Sequence, residues 1–205
     1  GDHEKIKSVA KKLLTLSFSM GVIGFATYVG ANQAFVSLWV GASFILDQNI
    51  VLFIALGFFA RTFRVLIGQM LYSLGDFTYT STIVLFEGVA RIGLAIALLS
   101  ILGIIGVPLA FIISCAITIL VLGIRLKNKL EIRLRFNKLA RLFVSGMIII
   151  AITFLLEKMI ITAIDSWVIF SVYLTMLLLC SSMLYLILNA MGIGVIYKEA
   201  AVWKK

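Results

Sequence analysis

The chain has 205 residues, of which 62% are hydrophobic and only 13% charged, and its formal net charge is +9. A soluble domain carries about 25% charged and about 45–50% apolar residues, so a soluble core of this length could not bury so much apolar surface. The composition therefore predicts an all-α membrane protein, a polytopic helix bundle whose solvent is partly lipid.

Six apolar stretches are long enough to cross a hydrocarbon core about 30 Å thick at about 1.5 Å per residue. They are predicted at residues 13–38, 50–74, 77–102, 107–124, 142–164 and 167–190. Short polar or glycine-containing breaks separate them. Asp76 and Asp165 directly precede predicted helices, where an acidic side chain can cap the first free N–H groups.

These stretches divide the chain into five parts. The parts are a polar cytoplasmic segment (residues 1–12), a four-helix membrane part (13–124), a basic cytoplasmic loop (125–141), two further transmembrane helices (142–190) and a cytoplasmic tail (191–205). Because the chain begins at Gly1 without an initiator methionine, we expect it to be an excised fragment or an incomplete gene product.

The positions of lysine and arginine predict the orientation. Fourteen of the eighteen lie in the first segment, the basic loop and the tail, which share one side if six spans separate the ends. The other side has only Lys158. We therefore expect both termini to lie in the cytoplasm and the protein to lie in the cell (inner) membrane. Residues 129–138 could lie along the headgroups and touch anionic membrane lipids, but an ordinary positive-inside loop is the favoured interpretation. This distribution, without any zinc, helix-turn-helix or RNA-binding signature, argues against a nucleic-acid partner.

The remaining three arginines and one glutamate lie near the middle of two predicted spans. Arg61 and Arg64 are in the second span, and Glu87 and Arg91 are in the third. A charge at mid-bilayer costs at least about 2.5–3.5 kcal/mol, so each needs a partner or a polar path. The two spans run antiparallel across a short turn, which places the four side chains at similar depth.

Two interpretations of this cluster stay open. The i,i+4 spacing of Glu87 and Arg91 favours internal ion pairs that hold helices together. Three arginines against one glutamate, however, leave about two positive charges uncompensated, which favours a cavity for an anion, because arginine binds phosphate through its fork of N–H donors.

Other chemistry is scarce in the sequence. His3 is the single histidine, and Cys115 and Cys180 lie inside apolar runs, away from any CxxC spacing. We expect both cysteines to be helix-packing residues. The sequence predicts no metal site, no cofactor and no catalytic residue.

Residues 13 to about 124 resemble the C-terminal half of polysaccharide and lipid-linked oligosaccharide flippases, which belong to the multidrug/oligosaccharidyl-lipid/polysaccharide exporter superfamily. The resemblance is carried by SLWVG (37–41), QMLYSLGD (69–76), FEGVARIGLAIALL (86–99) and LGIIGVPLAFIIS (102–114). Arg91 departs from the pattern, since many members carry asparagine there.

The resemblance implies twelve to fourteen helices in two lobes around a central cavity, with transport by alternating access. This chain would supply most of the C-terminal lobe, and the N-terminal lobe would be missing from it. The expected function is the flipping of a polyprenyl-diphosphate-linked oligosaccharide or polysaccharide repeat unit. Arg61, Arg64, Arg91 and Glu87 are the expected substrate-binding residues, facing the lipid-linked glycan diphosphate.

Two alternatives are another transporter of the same superfamily and, from a different functional class, an enzyme. A drug/cation antiporter of the same superfamily would need acidic groups in its cavity, and Glu87 is the only acid predicted at mid-membrane. An intramembrane glycosyl- or acyltransferase would need clustered acids or histidines in a polar loop. The predicted outer connections offer only Asp47, Glu157 and Asp165, which are too dispersed, so we expect no enzyme.

Overall fold

The computed structural model describes residues 2–130, 148 and 166–190. Of these residues 94% are helical and none is in a β-strand, which confirms the all-α class. Five α-helices lie within these residues: α1 (Asp2–Trp39), α2 (Gln48–Ser73), α3 (Phe77–Leu102), α4 (Gly106–Leu130) and α5 (Trp167–Ala190). Two short 3-10 helices, Ala42–Phe44 and Gly103–Ile105, precede α2 and α4.

Three stretches of the described chain are long and apolar enough to cross a membrane. They are Ser8–Trp39, Gln48–Ser73 and Phe77–Leu130, the last of which contains both α3 and α4. A shorter apolar helix covers Trp167–Met183. Much of this apolar surface is exposed, as expected of a surface that faces lipid. The helices therefore indicate a membrane-embedded protein.

Two predicted spans, 77–102 and 167–190, coincide with α3 and α5, and the second span differs from α2 by no more than two residues. Two others are shorter than their helices: α1 begins before residue 13, and α4 continues past residue 124 to Leu130. A helix does not have to end where lipid ends, because its backbone hydrogen bonds are internal and lysine and arginine are good helix formers. The predicted span 142–164, apart from residue 148, and the predicted cap Asp165 lie outside the described residues.

The chain divides into two compact units. The first contains Gly1–Ser17 and Gln48–Arg133, and the second contains Phe18–Asp47 and Leu134–Lys205.

In the first unit, α2 and α3 run antiparallel, and α4 folds back along α3. Tyr72 near the end of α2 lies 3.2 Å, hydroxyl to hydroxyl, from Ser81 near the start of α3. Because α4 reverses direction again, it lies parallel to α2. Their shared apolar cluster contains Ala10, Ile67, Met70, Leu71, Leu122, Leu126 and Leu130. Ala10 brings the start of α1 to the same end of this bundle.

The turn between α3 and α4 depends on two glycines. Gly103 has a φ of +63°, a conformation that side-chain-bearing residues rarely adopt. Gly106 has an ordinary helical backbone, but a Cβ atom there would lie 2.3 Å from the carbonyl carbon and oxygen of Leu98. The missing side chain therefore lets the start of α4 lie directly against the backbone of α3.

Asp76 begins α3, but its side chain makes no capping hydrogen bond, so the predicted cap is wrong. The carboxylate instead accepts hydrogen bonds from Arg125 Nε at 2.8 Å and pairs with Lys129 Nζ at 3.2 Å. The Arg125 guanidinium also lies over the ring of Tyr79. Two cationic donors on α4 compete more strongly for the carboxylate than a backbone N–H does. The hydrogen bond from Arg125 is the main reason why the pKa of Asp76 is lowered.

In the second unit, α5 runs antiparallel to the later part of α1. Tyr173 donates its hydroxyl hydrogen to the carbonyl oxygen of Gly30 at 2.8 Å, and Ser19 hydrogen-bonds with Tyr185. The small residues Ala31 and Ala34 pack with aromatic and leucine side chains of α5. Small residues at a helix interface let two backbones approach closely, which is the usual way that helices pack in lipid.

The first prediction concerns Gly106. Gly106→Ala should lower the melting temperature of the purified protein in detergent micelles, because the added methyl group meets backbone atoms that cannot move aside; overpacking of this kind costs about 1–3 kcal/mol. Gly123→Ala is the matched control, since a Cβ at Gly123 meets no atom within 4 Å. Its melting temperature should be unchanged or higher, as alanine favours helix. Equal melting temperatures for the two variants would contradict the close approach at Gly106.

The second prediction concerns the pH dependence of the Asp76 contact. A carboxylate whose pKa is lowered by folding contributes stability above its unfolded value of about 3.9 and loses it as the pH falls through the folded value. The melting-temperature difference between wild type and Asp76→Asn should therefore be constant between about pH 7 and pH 5 and shrink below about pH 4. When Arg125→Gln is added to both proteins, most of this melting-temperature difference should disappear. Lys127 is an exposed cation on the same helix, and adding Lys127→Gln to both proteins should leave the difference unchanged. A difference that grows on acidification would refute this assignment.

Candidate functional site

Three of the four predicted site residues meet at a buried carboxylate. The Glu87 side chain is 1% exposed. Arg64 Nε donates a hydrogen bond to Glu87 Oε2 at 2.5 Å, and Arg91 Nη2 donates to Glu87 Oε1. We call these three residues the Glu87 triad. It joins α2 to α3 at mid-helix, as the similar depths of the two spans predicted.

The helix faces that carry the triad are shaped by small residues. Gly68 and Thr80 are both buried, and a Cβ at Gly68 would lie 3.8 Å from Thr80 Cγ2. A Cβ at Gly57 would lie 2.5 Å from Phe111 Cδ1, so this glycine makes room for the phenylalanine ring of α4. Gly57 thus lets α2 pack closely against Phe111 of α4, whereas a Cβ at Gly68 would make an ordinary van der Waals contact with α3.

Arg91 is held by α4 as well as by Glu87. Its Nε donates to Ser114 Oγ at 3.1 Å, and its guanidinium carbon lies 4.5 Å from the centre of the Phe111 ring. Cys115 completes the surroundings: its Sγ lies 3.8 Å from Arg91 Nη2, and its thiol donates toward Glu87 Oε1 at 3.6 Å. Cys115 is thus more than the apolar packing residue that the sequence predicted.

The sequence did not predict that Phe111, Ser114 and Cys115 of α4 contact the site. It gives only a weak indication of these contacts: Ser114 and Cys115 are adjacent, mildly polar residues inside an apolar run. Their contact with Arg91 depends on how closely α3 and α4 pack, and the spacing of residues along one helix does not contain that information.

Arg61 is not part of the triad. It is the fourteenth of the 26 residues of α2, so it is at the middle of the helix, and its side chain is exposed. In the part of the chain that the structure describes, Arg61 makes no hydrogen bond or ion pair. Internal ion pairing thus accounts for Arg64 and Arg91 but not for Arg61.

The charges of the four residues sum to +2, because the triad carries two arginines and one glutamate and Arg61 adds one more. Arg64 and Arg91 remain partly accessible, with 19% and 30% of their side chains exposed. Each guanidinium has five N–H donors and uses only some of them on its described partners. The arrangement can therefore bind an anion. Within residues 2–130, 148 and 166–190, no group of three His, Cys, Asp or Glu side chains could hold a metal ion.

Comparisons with known proteins identified no relative of this chain. No protein-family model, curated protein or solved structure matches the chain. The interpretation of the site accordingly rests on its own residues and their geometry.

The third prediction separates the structural arginine from the exposed one. Arg91→Gln should lower the melting temperature and membrane abundance, because Glu87 Oε1 loses its charged donor; the loss should stay below the about 3–5 kcal/mol of a fully broken buried pair, since Arg64 remains. Arg61→Gln, the matched control, should leave both unchanged or raised, since it removes a charge with no described partner.

Adding Glu87→Gln to Arg91→Gln should restore part of the lost stability, because the unpaired carboxylate is then neutral. Equal losses from Arg61→Gln and Arg91→Gln would contradict the different roles of the two arginines.

Proposed function

We propose that the chain is part of a flippase that exports a polyprenyl-diphosphate-linked oligosaccharide or polysaccharide repeat unit across the cell membrane. The observation that carries the proposal is Arg61, a mid-helix arginine that is exposed and has no acidic partner in the described chain, three residues before Arg64 of a triad with an excess positive charge. A lone charge in lipid is costly, so Arg61 needs a polar path or an anionic ligand.

A diphosphate on a polyprenyl carrier meets the demands of such a site. Two phosphoryl groups match a pair of arginine forks, whereas the hydrocarbon tail can stay in the surrounding lipid. The exposed apolar faces of α2 and α3 suit contact with lipid on either side of the charged residues. In this proposal the ligand moves without any covalent change, so the charged residues bind and release it and none is catalytic.

The proposal includes a topology and a partner. Six spans would place both termini in the cytoplasm, and the exposed side of Arg61 would face a second lobe across the path of the ligand. Within the first unit, the contact of Asp76 with Arg125 places the α2–α3 turn and the end of α4 at the same end of the bundle. This arrangement is compatible with an even number of crossings between those two points.

A drug/cation antiporter fits the same residues less well. A cationic substrate needs a carboxylate that can approach it, and Glu87 is buried and already accepts hydrogen bonds from two arginines. The excess charge of the site would also repel a cation. An anionic ligand is therefore the better electrostatic match.

The fourth prediction tests this function in the organism that carries the gene. Arg61→Gln should lower surface-glycan export about tenfold or more while membrane abundance stays normal, because a hydrogen bond to a charged group contributes about 1.5–3 kcal/mol. Arg61→Lys should restore export only in part, since an ammonium lacks the bidentate fork. The measurements are glycan on the cell surface and protein in the membrane fraction.

Lys127→Gln is the control, because it removes a cation from an exposed position on α4 that is remote from the triad. It should export normally. Normal export by Arg61→Gln at normal abundance would overturn the proposed function.

A further inference from the structure

We propose that Arg64 is a partner-switching residue, for which Glu87 and a bound diphosphate compete. The inference rests on the proposed function and assigns separate roles to its three arginines. Arg61 binds the anion, Arg64 passes from Glu87 to the anion, and Arg91 stays on Glu87 throughout.

The two arginines of the triad are held very differently. Arg64 makes one hydrogen bond, from Nε to Glu87 Oε2, and its remaining guanidinium N–H donors have no described acceptor. Arg91 is fixed by Glu87 Oε1, by Ser114 and by the Phe111 ring together. A ligand that took Arg91 would have to replace three contacts, whereas a ligand that takes Arg64 replaces one.

The charge of Glu87 also favours release of Arg64. A buried carboxylate that loses its only cation is strongly destabilised. When Arg64 leaves, Glu87 still pairs with Arg91, and Oε1 still accepts the Cys115 thiol hydrogen. The Glu87–Arg91 pair is then electrically neutral, so the carboxylate is never left uncompensated.

The position of Arg64 on α2 makes the exchange geometrically direct. Arg61 and Arg64 are three residues apart on α2, a spacing at which two helical side chains are neighbours. Guanidinium groups from two neighbouring positions of one helix can hold the two phosphoryl groups of a diphosphate, whereas a monophosphate offers less charge with which to displace Glu87. We therefore expect the site to prefer a diphosphate to a monophosphate.

The exchange would also change how α2 and α3 are joined. The bond from Arg64 to Glu87 is the charged link between these helices in the described chain. A diphosphate that takes Arg64 removes this link, so by linkage the bound ligand favours arrangements in which α2 and α3 are less tightly tied. The same step that binds the anion thus loosens one helix contact at mid-membrane.

The fifth prediction measures binding of inorganic pyrophosphate to the purified full chain in detergent micelles by calorimetry. Arg61→Gln and Arg64→Gln should each weaken binding about tenfold, because each removes a charged donor. Glu87→Gln should tighten binding about tenfold, because Arg64 no longer has a competing carboxylate, and this gain should vanish in Arg64→Gln with Glu87→Gln. Lys127→Gln should bind like the wild type, and orthophosphate should bind more weakly than pyrophosphate.

Two results would overturn the inference. A gain that persists in Arg64→Gln with Glu87→Gln would show that Arg91, not Arg64, is released. Weaker binding by Glu87→Gln would show that Glu87 positions the arginines instead of competing with the ligand. If Glu87→Gln does not fold, Arg64→Lys provides the test, because it keeps the charge pair with Glu87 but loses the guanidinium fork. Wild-type affinity for pyrophosphate in both Arg64→Lys and Arg64→Gln would show that Arg64 does not bind the anion.

The outcomes also separate this inference from the proposed function. A polyprenyl diphosphate added to the micelles should follow the same order of variants and bind more tightly than free pyrophosphate, because its tail contributes apolar burial. A wild type that binds neither compound would overturn both proposals. Binding that depends on Arg61 but is unaffected by changes at Arg64 and Glu87 would overturn the inference alone.

Discussion

A carboxylate buried between helices constrains the rest of the first unit. A buried carboxylate needs a cationic partner, and Glu87 has two, Arg64 on α2 and Arg91 on α3. The pair with Arg64 limits how far α2 can lie from α3. The contacts of Arg91 with Ser114 and Phe111 extend the same requirement to α4. Apolar packing alone would specify this geometry less strictly, because lipid-facing and helix-facing leucines are chemically alike.

A second polar link lies at one end of the same bundle. Asp76 and Arg125 join the α2–α3 turn to the end of α4, and the Tyr79 ring lies under the Arg125 guanidinium. The two polar links differ in their surroundings. The Asp76 link is at the end of the helices, where water and salt can screen it, whereas the Glu87 triad is at mid-helix, where screening is weak. The mid-helix link therefore contributes more to how specifically the helices are paired.

The sequence predicted a helix end well where the change from apolar to polar or glycine residues falls at the same position as the end of the helix. Both ends of α3 and the start of α5 were predicted to the residue, because glycine or polar residues stand directly beside the apolar runs. The start of α1 and the extension of α4 past residue 124 were not, because hydropathy marks where lipid ends and not where backbone hydrogen bonding ends. The joint placement of Arg64, Glu87 and Arg91 followed from helix spacing and depth. The Asp76 cap was wrong because Arg125 is 49 residues away, and the pattern near Asp76 gives no sign of so distant a partner.

The order of the charged residues along the chain bears on how the protein enters the membrane. Arg91 has its counterion Glu87 four residues earlier on its own helix, so that pair can form as soon as α3 is helical. Arg64 has its counterion 23 residues later, on the next helix, and α2 carries no acid of its own. Since synthesis proceeds from the N-terminus, α2 emerges from the ribosome with two arginines and no compensating charge. Partition of α2 into lipid therefore costs less once α3 supplies Glu87, the counterion of Arg64.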